Sequence, residues 1–395
     1  MEVTGARRAV PRTVPLYPAP QYPEPLRLVG LDLEYISDYR RDFSRNSALY
    51  RALDEHVQVV GRMSPTLSPG QKFLNRLGQI HPNLSRWRRN AGFNPQLFQK
   101  RTVVAGEYLA ARRGEYDVVL QTYLQFAPEP GTGGAPYGVY LDATFDMSRR
   151  HYPGDHPLPR AAMDRWMALE RETYHRAARL FPWSDFTARS LIEEYGCDPA
   201  RVVRVGAGTN LMAPSLDGKQ YEEPVALFVG MDFDRKGGQD VLRAFQDVRA
   251  RLPDAQLWIV GPRLPKAPPQ PGVHWLGRIA DREKLAELYS RARVFVMPSF
   301  EPWGHVFCEA MGHGLPCIAL NRGPAAEIVQ DRQTGLLVEQ GDREQLGEAM
   351  YSLLSDAALA ERLGRAAYRR VQEQYTWAHV VQRLLPHLTA MARGE

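Results

Sequence analysis

Two carboxylates, Glu301 and Glu309, are separated by seven residues in the stretch from Pro298 to Val329. An apolar run, Val294–Met297, comes just before and reads as a buried strand of a parallel sheet. Pro302 stiffens the loop that follows, and Gly304 lets its backbone approach another group closely. A helix is expected from His305, with Val306, Phe307, Ala310 and Met311 on its buried face, ending at Gly312 and Gly314. The next strand is Cys317–Leu320. A loop at the carboxyl end of a strand is where open α/β sheets bind ligands. The first N–H groups of the helix, from Gly304, His305 and Val306, suit an anion. Glu309, one turn inside among apolar neighbours, needs a donor to pair with, and sugar hydroxyls are suitable.

A second constellation lies upstream. Phe228-Val229-Gly230 ends a strand, and Arg235-Lys236-Gly237-Gly238 opens a helix. A glycine-containing turn with two cations suits a diphosphate. A cation at a helix start opposes the dipole unless an anion sits there, which marks Lys236 more strongly than Arg235. Phosphate plus hydroxyls describes a nucleotide sugar. Asp232-Phe233-Asp234 formally matches a divalent-metal motif. Because Lys236 and a helix N-terminus already supply positive charge, no metal and no cofactor are expected.

Glutamate, seven residues, glutamate, then Ala310-Met311 and a glycine-terminated helix, with Gly323–Val329 and Thr334–Val338 beyond, resembles the donor-site motif of the retaining glycosyltransferases of family four. The resemblance covers residues 178–385 well and the first half mainly in layout. It implies the GT-B fold, two Rossmann-like doubly wound domains facing a central cleft. It implies that Glu301 holds the donor sugar and Glu309 the ribose, that Lys236 meets the diphosphate, and that Arg278 and Ile279 lie near the nucleobase; Arg235 would stand in for the family's arginine after Gly230. It also implies retention of anomeric configuration. The sequence departs from the pattern in places. Met231 stands where an arginine is common, and Pro324 replaces a glycine. No double glycine follows the first strand, where Gly30 is followed by Leu31-Asp32-Leu33-Glu34-Tyr35. Asp142 occupies the place of a cleft-facing histidine. It would orient or deprotonate an acceptor hydroxyl, or else cap the next turn. Glu327 is expected to bond backbone near its own loop, the side chains of His305 and His313 to lie on the helix surface or cap it, and Gly206, Gly208 and Asn210 to form a hinge.

The elements that must position these residues alternate strand and helix along the 395 residues, as in parallel sheets with right-handed crossovers. In the first half strands are expected at Leu26–Leu31, Val57–Val60, Tyr116–Gln121, Tyr137–Asp142 and Leu180–Trp183, with helices over Asn46–Ala52, Pro95–Arg113 and Ala161–Arg179. Residues 62–93 read as irregular, Pro128–Gly134 as a loop, and Ser184 as the cap of a helix reaching Tyr195. Val202–Val205 closes the half, and residues 207–223 read as a linker. The expected division is 1–206 for an acceptor domain with a proline-rich tail at 1–25, 207–375 for a nucleotide-sugar donor domain, and 376–395 for a helix crossing back.

Composition is that of a globular chain, 44% hydrophobic and 24% charged, with no apolar run long enough to span a membrane and no apolar signal region. Three cysteines without metal spacing fit a reducing compartment, so the expected location is cytoplasmic. The net charge of +5 is uneven: residues 1–185 carry +6 and residues 186–395 carry −1. A basic first half is most simply a solvated face, but would also suit an anionic acceptor or peripheral contact with an acidic membrane. No nucleic-acid motif accompanies it. The expected activity is metal-independent transfer from a UDP- or GDP-sugar to a hydroxyl acceptor, whether glycan, lipid or small molecule. The alternatives are a nucleotide-sugar epimerase of the same fold and a non-catalytic nucleotide-sugar-binding protein.

Overall fold

The computed structural model describes residues 25–33, 45–128, 132–154, 158–261 and 270–395. The proline-rich stretch up to Glu24, Glu34 and Tyr35, and residues 129–131 of the expected loop lie outside the described residues.

The chain forms two wholly parallel sheets. The first half contains β1 (Arg27–Leu31), α1 (Arg45–Asp54), β2 (Gln58–Met63), α2 (Pro69–Leu77), α3 (Leu84–Gly92), α4 (Pro95–Ala111), β3 (Val118–Thr122), β4 (Tyr137–Leu141), α5 (Phe145–His151), α6 (Arg160–Arg176), β5 (Arg179–Pro182) and α7 (Asp185–Glu193). Its strand order is β2-β1-β3-β4-β5. The second half contains β6 (Val225–Val229), α8 (Gly238–Arg251), β7 (Gln256–Val260), β8 (Val273–Gly277), α9 (Arg282–Arg291), β9 (Val294–Met297), α10 (His305–Met311), β10 (Cys317–Leu320), α11 (Pro324–Ile328), β11 (Gly335–Val338), α12 (Arg343–Ser355), α13 (Ala357–Gln374) and α14 (Trp377–Arg393). Its order is β11-β10-β9-β6-β7-β8. Strands β3, β4, β9 and β10 are buried along their whole length, as strands covered by helices on both faces must be.

In each sheet the strand order reverses once, between β1 and β3 and between β6 and β9. Chains leave such neighbouring strands in opposite directions, which opens a crevice at their carboxyl ends. In the second sheet the loops flanking this crevice are those carrying Lys236 and Glu301.

The structure corrects several sequence expectations. Residues 62–93 are not irregular, since they hold α2 and α3. Pro69 sits at the start of α2, where its missing N–H costs nothing, behind a capping box made by Ser68 and Gln71. Asn83, just after Pro82, caps α3 with its side chain accepting from Arg86 N. Helix α5 was not anticipated, nor was α11, whose first residue is Pro324. The long helix ends at Arg176 because Ala177 is extended, which frees Arg179 to enter β5. Val202–Val205 runs beside β5, with Val203 N donating to Leu180 O at 2.8 Å and Val205 N to Pro182 O at 3.0 Å, but it forms a bridge only between Val202 and Leu180 and is not a full strand. Ser184 caps α7 as expected, its side chain accepting from Thr187 N.

Helix α14 follows all these elements yet lies against α1, β3 and β5 of the first sheet. It buries Val380, Val381, Leu384, Leu388 and Met391, and Arg383 donates to Val205 O at 2.7 Å.

One buried titratable group gives the fold a pH dependence. Glu170 of α6 accepts from Phe145 N at 3.1 Å and Tyr195 Oη at 2.5 Å. Burial pushes its carboxyl up to about 7. The folded state therefore holds this proton over a range where the unfolded state has lost it. The associated stability is present at pH 4 and is lost as pH rises through about 7. Glu170→Gln should flatten this slope and raise stability at pH 8 by up to roughly 3 kcal/mol relative to wild type. Urea melts of both proteins at pH 5 and 8 check it, and parallel pH profiles would show that Glu170 is not the group responsible.

Candidate active site

The loops after β6 and β9 are pressed together by glycine. Gly237, at φ +76°, caps α8, and a Cβ there would lie 2.9 Å from Pro298 O. Gly230 leaves room for the stem of Lys236, whose Cδ would be 2.3 Å from an added Cβ. Thus guided, Lys236 Nζ reaches Glu301 Oε1 at 2.9 Å. Arg235 NH1 reaches the same oxygen at 3.4 Å, and Ser299 Oγ donates to it at 3.2 Å. The Lys236 and Glu301 side chains are 13% and 11% exposed, so the pair is nearly withdrawn from water. The anion that justifies Lys236 beside a helix start is thus supplied by the chain itself. Arg235 shares that carboxylate, whereas Met231 is exposed.

Asp232 also pairs with Arg235, its Oδ2 3.5 Å from Arg235 Nε, and Asp234 turns to α8. Asp232 accepts from Arg235 N at 3.2 Å, and Asp234 from Gln239 Nε2 at 3.0 Å. Among the described residues no group of three or more His, Cys, Asp or Glu has metal-binding geometry.

Gly304, at φ +91°, caps the seven-residue α10. Phe307, Cys308, Ala310 and Met311 are fully buried, leaving Glu309 half-buried. Its Oε2 accepts from Tyr289 Oη at 3.3 Å. Burial, and then the Glu309 charge, raise the Tyr289 phenol well above its ordinary range, so it remains a donor. His313 Nδ1 meets Glu309 O at 2.8 Å, and its ring stacks on Tyr289. His313 thus caps α10, but it is buried rather than on the surface. His305 is buried as well, edge-on to Trp183 with ring centres 5.2 Å apart. Both helix faces expected to be exposed are covered by neighbouring elements. Arg278 is exposed and Ile279 packs against the core at the end of β8, some way along the sheet edge.

The first half closes over this site. His151 stacks on Phe300 at 3.7 Å and 12°, and Tyr152 Oη donates to Phe300 O at 2.7 Å. The Arg235 guanidinium lies 4.8 Å from the centre of the Tyr152 ring. Burial raises the Tyr152 phenol first, with the negative charge of Glu301 next and that of Asp142 adding to it. Asp142 is half-buried just past the carboxyl end of β4. Its backbone carbonyl accepts from Thr187 Oγ1, while Thr144 is the residue that caps α5. Tyr152, His151, Phe300, Ser299 and Tyr289 were not singled out from sequence. Only Ser299 and Phe300, which adjoin Glu301, carried a local signal.

Glu327 bonds backbone, as expected, but that of the first half rather than of its own loop. Its carboxylate crosses to the first half, accepting from Asp185 N and Phe186 N, each at 2.8 Å, at the start of α7. Gly208 lies against the Trp377 ring, whose Nε1 donates to Asn210 at 2.7 Å.

The profile described as "Glycosyl transferases group 1" matches residues 217–370. The chain is 30% identical over 341 residues to the MMP alpha-(1->4)-mannosyltransferase of Mycolicibacterium hassiacum, covering 78% of each protein. It is 31% identical over 219 residues to the alpha-maltose-1-phosphate synthase of Mycolicibacterium smegmatis, which is 48% of this chain and 56% of that one. The chain thus spans only about half the length of that relative, and 31% of its counterpart from Mycobacterium tuberculosis. Among solved structures, the fold is similar to sucrose-phosphate synthase from Thermosynechococcus elongatus. The TM-score is 0.68 at 21% identity, covering 94% of this chain and 100% of that one. It is also similar to WaaG, a glycosyltransferase involved in lipopolysaccharide biosynthesis, with TM-score 0.59 at 17% identity, covering 90% and 98%. Two parallel α/β domains with these neighbours make the architecture GT-B. The chain belongs to the group 1 glycosyltransferases.

Removing the Glu327 carboxylate should leave two N–H groups of α7 without their acceptor, at a cost of roughly 1–2 kcal/mol. Glu327→Ala should lower the midpoint of urea unfolding accordingly. An unchanged midpoint would mean that water replaces the carboxylate at no cost.

Proposed function

We propose that the protein is a retaining, metal-independent glycosyltransferase of the family-four type. It moves a sugar from a UDP- or GDP-sugar to a hydroxyl acceptor. The observation that carries this reading is the convergence of Lys236 and Arg235 on Glu301 at the crevice between β6 and β9. Two cations held there by a carboxylate are already oriented when a diphosphate arrives. Stabilising its growing charge as it leaves is electrostatic preorganisation, commonly the largest catalytic contribution. Glu301, beside those cations, would accept hydrogen bonds from the donor sugar. Glu309, one turn further in and oriented by Tyr289, would accept from the ribose. Backbone N–H groups of Gly304, His305 and Val306 would add donors, with Gly230 keeping Lys236 in place. Arg278 and Ile279 would border the base. Asp142, just past β4 in the first half, would orient the acceptor hydroxyl. The relatives' names, a mannosyltransferase and a maltose-1-phosphate synthase, support sugar transfer as the reaction class. No cofactor enters this reading.

The two glutamates should separate experimentally. Glu309→Gln should weaken binding of free UDP or GDP about ten- to a hundredfold, as loss of a charge-assisted hydrogen bond does. Glu301→Gln should leave free-nucleotide affinity within a few-fold and strike turnover. Calorimetry with nucleotide beside turnover assays reads out both. If neither change altered turnover, this crevice would not be the donor site. Consumption of donor without acceptor would favour the epimerase.

Transfer should persist in excess EDTA, because Lys236 and Arg235 do the work a metal would otherwise do. Loss of activity restored by Mg²⁺ or Mn²⁺ would instead assign a metal to Asp232 and Asp234.

A further inference from the structure

The α2–α3 hairpin is built inside out. In α2 the only buried residue is Asn75, and in α3 it is Asn90. Asn75 joins the two helices, and Asn94, which caps α4, ties them to the body of the fold. Asn75 Nδ2 donates to Ala91 O at 2.7 Å, and Asn94 Nδ2 donates to Asn90 O at 2.7 Å and to Asn75 Oδ1 at 3.3 Å. The large apolar side chains point the other way. Phe73 and Leu74 are each 62% exposed, Leu77 45%, Ile80 in the connecting turn 70% and Leu84 53%. At 100° per residue, Phe73, Leu77 and Leu74 fill one 100° arc of α2, opposite Asn75. Five of the eight exposed large hydrophobics among the described residues lie in this one hairpin, a placement that soluble surfaces rarely keep without a partner.

The charge around it has one sign. From His56 to Gly106 the chain has eight Lys and Arg and no Asp or Glu. Lys72 and Arg76 on α2, and Arg86, Arg88 and Arg89 on α3, are all exposed. This run accounts for the positive balance of the first half. A second copy of the chain would meet the same cations and be repelled. Among the described residues of this run, the apolar tip is flanked by cations and no carboxylate, which matches a bilayer of anionic lipid, where the acyl boundary receives the apolar side chains and the headgroups pair with the rim.

We propose that the α2–α3 hairpin docks the protein on an anionic membrane surface, with Phe73, Leu74, Leu77, Ile80 and Leu84 entering the interface. Docking of this kind is independent of the sugar-transfer reading, and its test uses no activity. The full chain is sedimented with vesicles of phosphatidylcholine alone, or of phosphatidylcholine with about one-third phosphatidylglycerol. The expected result is partitioning onto the mixed vesicles and not onto the neutral ones. Leu74→Ser/Leu77→Ser changes only exposed side chains and should weaken partitioning about tenfold or more. Arg88→Ala/Arg89→Ala should weaken it about twenty- to thirtyfold at low salt, since each cation near an anionic surface contributes about fivefold. Failure of wild type to bind the mixed vesicles would overturn the proposal. So would binding that the leucine pair does not affect, because that would be adsorption without insertion. A dimer in sedimentation equilibrium that Leu74→Ser/Leu77→Ser dissolves would instead assign the face to a second copy.

Discussion

The ion pair between Lys236 and Glu301 is the constraint around which the site is arranged. Taking both charges out of water costs several kcal/mol per ion, and only close geometry with additional hydrogen bonds compensates for it. Here Arg235 and Ser299 supply those bonds. The pair also ties the loop after β6 to the loop after β9, the two strands between which the sheet reverses. Gly237 and Gly230 provide the close approach that this requires. Around the tied loops the first half brings His151 and Tyr152 onto Phe300, so a charge arrangement within one domain fixes the surface that the other domain covers.

Much of this was legible in the sequence because it rests on local rules. The strands of the second half are apolar runs between turn residues. The glutamate pair and Arg235-Lys236 sit at strand ends whose function follows from sheet topology. The sequence did not reveal contacts between residues far apart in the chain. Nothing near Glu327 says that its carboxylate will cap a helix beginning at Asp185, and nothing near Tyr289 says that its phenol will meet Glu309. The irregular reading of residues 62–93 failed for a different reason. Proline reads as a helix breaker, yet Pro69 opens α2 directly after its Ser68 cap and Pro82 precedes the Asn83 cap of α3. In addition, the apolar face of α2 covers no core, so the usual link between periodicity and burial does not hold there.

The two halves therefore differ in how strictly the sequence dictates the structure. The second half is a doubly wound sheet whose switch-point crevice carries the Lys236–Glu301 pair. The first half keeps the same architecture but places a polar-locked hairpin between β2 and α4, outside any core. That is where the chain departs most from its own hydrophobic pattern, and such departures tend to mark surfaces selected for contact rather than for stability.

Helix α14 carries a consequence for how the chain is made. The face of the first sheet formed by α1, β3 and β5 is complete early in synthesis, but its cover is separated from it by the whole second domain. A nascent chain must therefore hold that apolar face unprotected while nearly two hundred further residues are added, at a typical 5–20 residues per second. For some tens of seconds the first half is a folded layer lacking one side. Such an intermediate is a natural client for chaperones that bind exposed apolar surface. A chain released before Val380 and Leu384 emerge would have no element of its own to shield it.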